Sequence, residues 1–170
     1  MIKEKIQQAF NILKEENIDC WLTFVRETST TPDPATDIIV GTGVTWQSAF
    51  ILTADGQATA IVGSLDKPNQ ESYGYYPEII GYLKSIEEDL MKTLQRINPN
   101  KIAINYSINS PTADGLTHGM FLQLNAYLAG TRFADRLVSS EPLLNKLRGR
   151  KSSAEIAKVG KAIDLTITMF

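Results

Sequence analysis

Apolar positions fall at Ile2, Ile6, Phe10 and Leu13, with Lys, Glu and Gln between them. This spacing of three and four residues predicts a helix over 2–16 with one buried face. The run 20–25, CWLTFV, is continuously apolar apart from Thr23 and predicts a buried strand. Residues 26–37 carry Pro32 and Pro34 and no apolar period, which predicts a loop. Two β-prone runs, 50–53 and 58–62, flank Asp55-Gly56, the strongest short hairpin signal in the chain. A strand is expected over 78–83. Ile86, Leu90, Leu94 and Ile97 mark a helix over 86–97, with Ser85 as N-cap and Asn98-Pro99-Asn100 as its stop. A compact strand follows at 101–105, then a helix over 112–129 that Gly130 ends, then a strand over 133–138.

The pattern changes after Ser140, where nearly every residue is compatible with helix. Ser152 and Glu155 form a capping box ahead of Ile156, Val159, Ile163 and Ile167, an apolar helical face. The polar stretch LRGRKS before it suits a linker. The reading divides the chain into a domain over 1–146 and a linker with the start of a helix over 147–170. An apolar face half-built at Phe170 is the pattern expected of the first part of a longer protein. Alternating strands and helices with one hairpin predict an α/β fold: a mixed β-sheet flanked by helices on both faces, with a C-terminal linker helix.

Composition narrows the function. The 170 residues carry 17 Lys and Arg against 19 Asp and Glu, a formal charge of −2. That balance gives no electrostatic case for nucleic acid or for an anionic membrane surface. No apolar stretch approaches the ~20 residues that cross a bilayer, and the charged N-terminus does not resemble a secretory signal. A cytoplasmic location is expected, with Cys20 as a reduced thiol. One cysteine and one histidine, His118, exclude a Cys-cluster or multi-histidine metal site within these residues.

Four positions stand out as substrate-pocket candidates. Arg26 and Glu27 follow the first strand directly, and ligands in open α/β sheets sit beyond the carboxyl ends of strands. A functional loop is therefore expected over 26–47, with Trp46 as a rigid apolar contact. The competing reading is an ordinary surface Arg-Glu pair with Trp46 in the core. His118 reads either as an acid–base group or as a helix-surface histidine paired with Asp114 on the same face. Gly41-Thr42-Gly43 lacks the further glycine or lysine of a phosphate loop and reads as a turn. The acidic residues Asp33, Asp37, Asp55 and Asp114 do not form a convincing two-metal set, because Asp55 serves a turn and Asp33 lies between prolines. No catalytic residue and no metal ligand are assigned.

Three segments carry a family resemblance: ENIDCWLTF, WQSAFILTADGQATAIVG, and the closing LVSSEPLLNKLRGRKSSAEIAKVGKAIDLTITMF. Together they resemble the N-terminal domain of the creatinase, prolidase and aminopeptidase P family, the pita-bread metallopeptidases. Leu147, Arg148, Lys151, Ser152, Glu155, Ile156, Lys161 and Ala162 match in order the basic stretch and capped helix that lead into that family's catalytic domain. The resemblance implies a mixed sheet comparable with a ribonuclease H-like motif. It also implies two divalent metal ions (Mn, Co or Zn) in a separate C-terminal catalytic domain, no cofactor within these 170 residues, a homodimer, and a peptide as substrate. In place of its Asn-x-x-Tyr-Leu-Thr-Gly segment stand residues 26–46, where Gly41 or Gly43 corresponds to the motif's glycine but the Tyr-Leu-Thr run is missing, so peptidase and non-peptidase relatives both stand.

The leading expectation is a non-catalytic N-terminal domain of an Xaa-Pro-type metallopeptidase, inactive alone, serving dimerisation and substrate-pocket gating. The alternatives are a stand-alone α/β small-ligand-binding module using the 26–47 loop, and a small hydrolase built on His118.

Overall fold

A computed structural model describes residues 1–169; Phe170, the last position of the expected linker helix, lies outside the described residues. Helix α1 (Ile2–Glu15) leads into strand β1 (Cys20–Val25). A short helix α2 (Thr36–Ile39) interrupts the expected loop. The predicted hairpin is formed by β2 (Ser48–Thr53) and β3 (Ala58–Gly63). Helix α3 (Lys67–Tyr73), which no apolar period announces, precedes β4 (Glu78–Tyr82). Then come α4 (Glu87–Ile97), β5 (Ile102–Ile104), α5 (His118–Leu128), β6 (Leu137–Ser139), α6 (Glu141–Gly149) and α7 (Ser153–Met169).

The six strands form one sheet in the order β4-β3-β2-β1-β5-β6. The pairs β1/β2 and β2/β3 are antiparallel, whereas β3/β4, β1/β5 and β5/β6 are parallel. The expected mixed α/β sheet is therefore present. Alternate side chains divide between two cores, as a period of two requires. Trp21, Val25, Phe50, Leu52, Ala60 and Val62 meet α1, α2 and α6 on one face. Cys20, Leu22, Phe24, Ile51 and Ile61 meet α4 and α5 on the other.

Four local expectations are corrected. Residues 112–117 are not helical: a 3-10 turn at Pro111–Ala113 gives way to an extended Thr117, whose hydroxyl accepts from Met120 N and caps α5. Asp114 therefore does not share a helical face with His118; its carboxylate accepts from Ser107 N at 3.3 Å instead. The last strand starts at Leu137 rather than 133, because Ala134–Arg136 form a 3-10 turn. Ser85 lies one residue before the N-cap Ile86, although its hydroxyl still accepts from Glu87 N at 3.2 Å. Leu147, which the sequence reading gave to the linker, sits inside α6 and is fully buried.

One buried polar cluster joins elements distant in sequence. The Asn105 amide donates to both carboxylate oxygens of Asp33, at 3.0 and 2.9 Å, and to Thr23 Oγ1 at 3.3 Å. Its side-chain carbonyl accepts from Trp21 Nε1 at 2.7 Å and Ser140 Oγ at 2.8 Å. Its backbone carbonyl accepts from Gly115 N and Leu116 N. Gly115 packs so close that a Cβ there would lie 2.3 Å from the Asp33 carboxyl carbon. Burial raises the Asp33 pKa above its ordinary 3.8, while the Asn105 amide and Ala35 N–H pull it back in part.

Asn105→Ala should leave the Trp21 indole and the Ser140 hydroxyl without partners and the Asp33 carboxylate with only the Ala35 N–H. We expect a loss of about 3 kcal/mol or more in urea denaturation, against about 1 kcal/mol for Ser140→Ala. Equal small losses would show that the cluster is peripheral.

At the sheet edge, the Arg96 guanidinium grips the Glu78 carboxylate at 2.5 and 2.7 Å, tying α4 to β4. The ion pair with Arg96 is the main cause that lowers the Glu78 pKa to about 2. A depressed carboxylate stabilises the fold above its ordinary value of 4.5 and loses that contribution as pH falls toward about 2. The pair is half exposed, so the effect is at most about 1 kcal/mol. The Tm difference between the parent and Glu78→Gln should therefore be constant near neutral pH and close as pH falls through this window.

Candidate functional site

A cleft of about 800 Å³ opens at the end of the sheet where β1 and β4 finish and β2 begins. Arg26 and Glu27 enter it from the end of β1, Thr45 to Gln47 from the approach to β2, Tyr82 to Ser85 from the end of β4, and Gln123 and Tyr127 from α5.

Glu27 lies in the left-handed region, at φ 44, uncommon for a residue with a side chain. Hydrogen bonds hold it there. Its N–H donates to Thr45 O at 3.0 Å, and its carbonyl accepts from Thr30 N and Thr31 N at 2.8 and 2.9 Å. The turn lays the start of the loop against the strand leading to β2, and Thr28 N–Val44 O at 3.0 Å extends the pairing. Arg26 thus leaves β1 at a fixed point, with its side chain exposed. A Cβ on Gly119 would stand 3.8 Å from Arg26 Nη2, which places the guanidinium beside the first turn of α5.

The aromatic wall is held as tightly. Trp46 lies on Gly63, where a Cβ would come within 2.7 Å of its ring. Asp66 accepts from Trp46 N and Thr45 N, both at 3.2 Å. Tyr82 stacks at a tilt on Trp46, with centroids 5.9 Å apart, and its hydroxyl donates to Gln47 O at 2.8 Å. Burial, then the neighbouring Tyr127 and Asp66, push the Tyr82 pKa to about 12, so it remains a hydrogen-bond donor at neutral pH. Gln47 Nε2 donates to Gln123 Oε1, Gln123 Nε2 to the Tyr127 hydroxyl at 2.9 Å, and Tyr127 back to Gln47 Oε1 at 3.3 Å. This closed ring of amides and phenol fixes one wall.

Three of the four sequence candidates thus meet in one cleft: Arg26, Glu27 and Trp46. His118 does not join them. It lines a separate cavity of about 580 Å³ with Tyr106, Asp114 and Phe121. Sequence reasoning missed Lys84, although it follows β4 as Arg26 follows β1, and the strand-end argument applies to both. Gln123 and Tyr127, four residues apart on α5, had no chemical signature of their own. Among the described residues, no group of three or more His, Cys, Asp or Glu comes together as metal ligands would. No described helix is long and apolar enough to cross a membrane.

No protein-family model and no curated protein sequence matches the chain. Solved structures do. The N-terminal domain of Xaa-Pro dipeptidase from Lactobacillus brevis superposes with a TM-score of 0.57 at 14% identity, covering 83% of this chain and 98% of that one. The creatinase/prolidase N-terminal domain of an X-Pro dipeptidase from Streptococcus pyogenes gives 0.58 at 13%, covering 84% and 98%. The fold is that of the creatinase/prolidase N-terminal domain. An Xaa-Pro dipeptidase from Bacillus anthracis matches with a TM-score of 0.63 at 17% identity over 92% of this chain. The chain spans only 38% of the length of that protein.

Gly63→Ala should drive Trp46 off β3 and into the cleft. Trp21 is fully buried, so a red shift in tryptophan emission would report Trp46. We expect that shift together with a loss of about 1–3 kcal/mol. Unchanged emission would mean the ring does not depend on the missing side chain.

Proposed function

We propose that the chain is the non-catalytic N-terminal domain of an Xaa-Pro-type metallopeptidase, where it serves dimerisation and gates the substrate pocket. The observation that carries the reading is a cleft at the strand ends, built for recognition, on a fold shared with N-terminal domains of Xaa-Pro peptidases. Arg26 supplies a planar fork that suits a peptide carboxylate. The positive end of α5 beside it favours the same charge. Lys84 adds a second cation and Trp46 with Tyr82 an apolar surface. The two divalent metals that this activity calls for find no ligand set among the described residues. We assign them to a separate catalytic domain, and no step of the chemistry to this one. The expected setting is cytoplasmic.

A second reading, a stand-alone small-ligand module, is favoured by the fact that one chain builds the whole cleft. Saturable binding of a proline-containing dipeptide to the 170-residue chain alone, seen as NMR shifts at Arg26 and Trp46, would support it.

The deciding experiment is Arg26→Ala in the full-length protein. Losing a charge-assisted contact typically costs about 1.5–3 kcal/mol. We therefore expect kcat/KM on an Xaa-Pro dipeptide to fall about ten-fold or more, at 1.4 kcal/mol per decade. Tm should hold, because Arg26 is exposed. Unchanged kinetics would remove the gating role, and turnover by the 170-residue chain alone would overturn the non-catalytic assignment.

A further inference from the structure

Lys5 occupies a position where α1 faces the core, in line with Ala9 and Ile12, and its side chain is 6% exposed. A buried ammonium is costly unless each of its three donors is matched. All three are. Nζ stands 2.9 Å from Leu147 O, 2.7 Å from Arg150 O and 2.8 Å from Glu155 Oε2.

These acceptors share one location. Leu147 and Arg150 offer carbonyls at the C-terminal end of α6, where a cation is favoured. Glu155 lies in the first turn of α7, and its Oε2 also accepts from Ser152 N at 2.7 Å. Glu155 N in turn donates to Ser152 Oγ at 3.2 Å, which completes the capping box. The stretch that its composition marks as a linker is therefore closed around one lysine from the opposite end of the chain. A second clasp, Arg150 to Glu15 at 3.0 Å through both nitrogens, lies on the surface. It adds little by itself, because exposed pairs are weak.

Beyond this joint α7 has no other hold: among its described residues none is buried, and Ile156, Val159, Ile163 and Ile167 are exposed. The direction of a 17-residue helix thus depends on contacts within its first turn. We propose that Lys5 is a conformational latch: its bonds to the end of α6 and to Glu155 set the direction in which α7 leaves the domain, and neutralising either partner turns a rigid joint into a hinge. This goes beyond the functional reading above and does not depend on it.

The test is a distance measurement between spin labels introduced by Lys92→Cys on α4 and Lys161→Cys on α7; buried Cys20 stays unlabelled. The otherwise unaltered chain should give one narrow distance distribution. Lys5→Met and Glu155→Gln should each broaden it at least two-fold and speed tryptic cleavage at Arg150 or Lys151 about ten-fold. Amide exchange in β1 and β2 should stay unchanged, which separates a freed joint from a loosened fold. If Lys5→Met does not fold, Glu155→Gln alone decides. A broad distribution without either substitution, or a narrow one retained in Glu155→Gln, overturns the latch.

Discussion

The side chain of Asn105 is the constraint on which the sheet's right-hand half depends. It stands one residue past β5 and answers four groups brought by three segments: Trp21 and Thr23 from β1, Asp33 from the long loop, and Ser140 from the start of α6. An apolar side chain of the same size would fill the space but leave Trp21, Thr23 and Ser140 desolvated and unpaired, and Asp33 with only the Ala35 N–H. Partial satisfaction of such a cluster is worse than none, so its members specify one another. The short parallel strands β5 and β6, three residues each, have little ladder of their own. Their place beside β1 is fixed as much by this cluster as by backbone pairing.

The same cluster explains where the cleft is. In an open α/β sheet the natural ligand crevice lies beyond the carboxyl ends of neighbouring strands where the chain reverses its direction of winding. Here that point lies between β1 and β5, since the chain builds β2, β3 and β4 to one side of β1 before crossing to β5 on the other. The Asp33 segment fills it. Asp33 is 1% exposed, bonded to Asn105, and pressed on Gly115. With the switch point plugged by the protein's own loop, the open space moves sideways to the ends of β1 and β4. Arg26, Glu27 and Lys84, not Asp33 or His118, become the charges that face solvent there.

What the sequence made legible follows from the range of the forces involved. Elements with a strong local period or a capped end could be read directly: α1, β1, the Asp55-Gly56 hairpin, α4 and the capping box of α7. The errors arise where tertiary contacts overrule local preference. Residues 112–117 are expected to be the start of a helix that Gly130 ends, but the Asn105 carbonyl captures the N–H groups of Gly115 and Leu116 and holds them in a turn. Asp33 looked like an idle loop residue between prolines because its partner lies 72 positions away. Lys5 looked like the polar side of an amphipathic helix because its acceptors are more than 140 positions away. In the cleft, strand-end logic located Arg26, Glu27 and Trp46, whereas the Gln47, Gln123 and Tyr127 ring required the fold to assemble it.

That ring bears on what kind of site this is. Recognition surfaces gain when their polar groups are fixed before a ligand arrives, since less freedom is then lost on binding. The wall is neutral, closed on itself and backed by Tyr82, whose phenol stays protonated well above neutral pH. The cleft lining includes neither histidine nor cysteine, the side chains most readily tuned to move protons or attack carbon near neutrality. Fixed hydrogen-bonding groups, a held tryptophan, two cations and the Glu27 carboxylate are features that suit orientation and charge selection. The one histidine lines a different cavity, together with Asp114, Tyr106 and Phe121. An arrangement that holds a ligand by fixed groups is the one the proposed accessory role calls for.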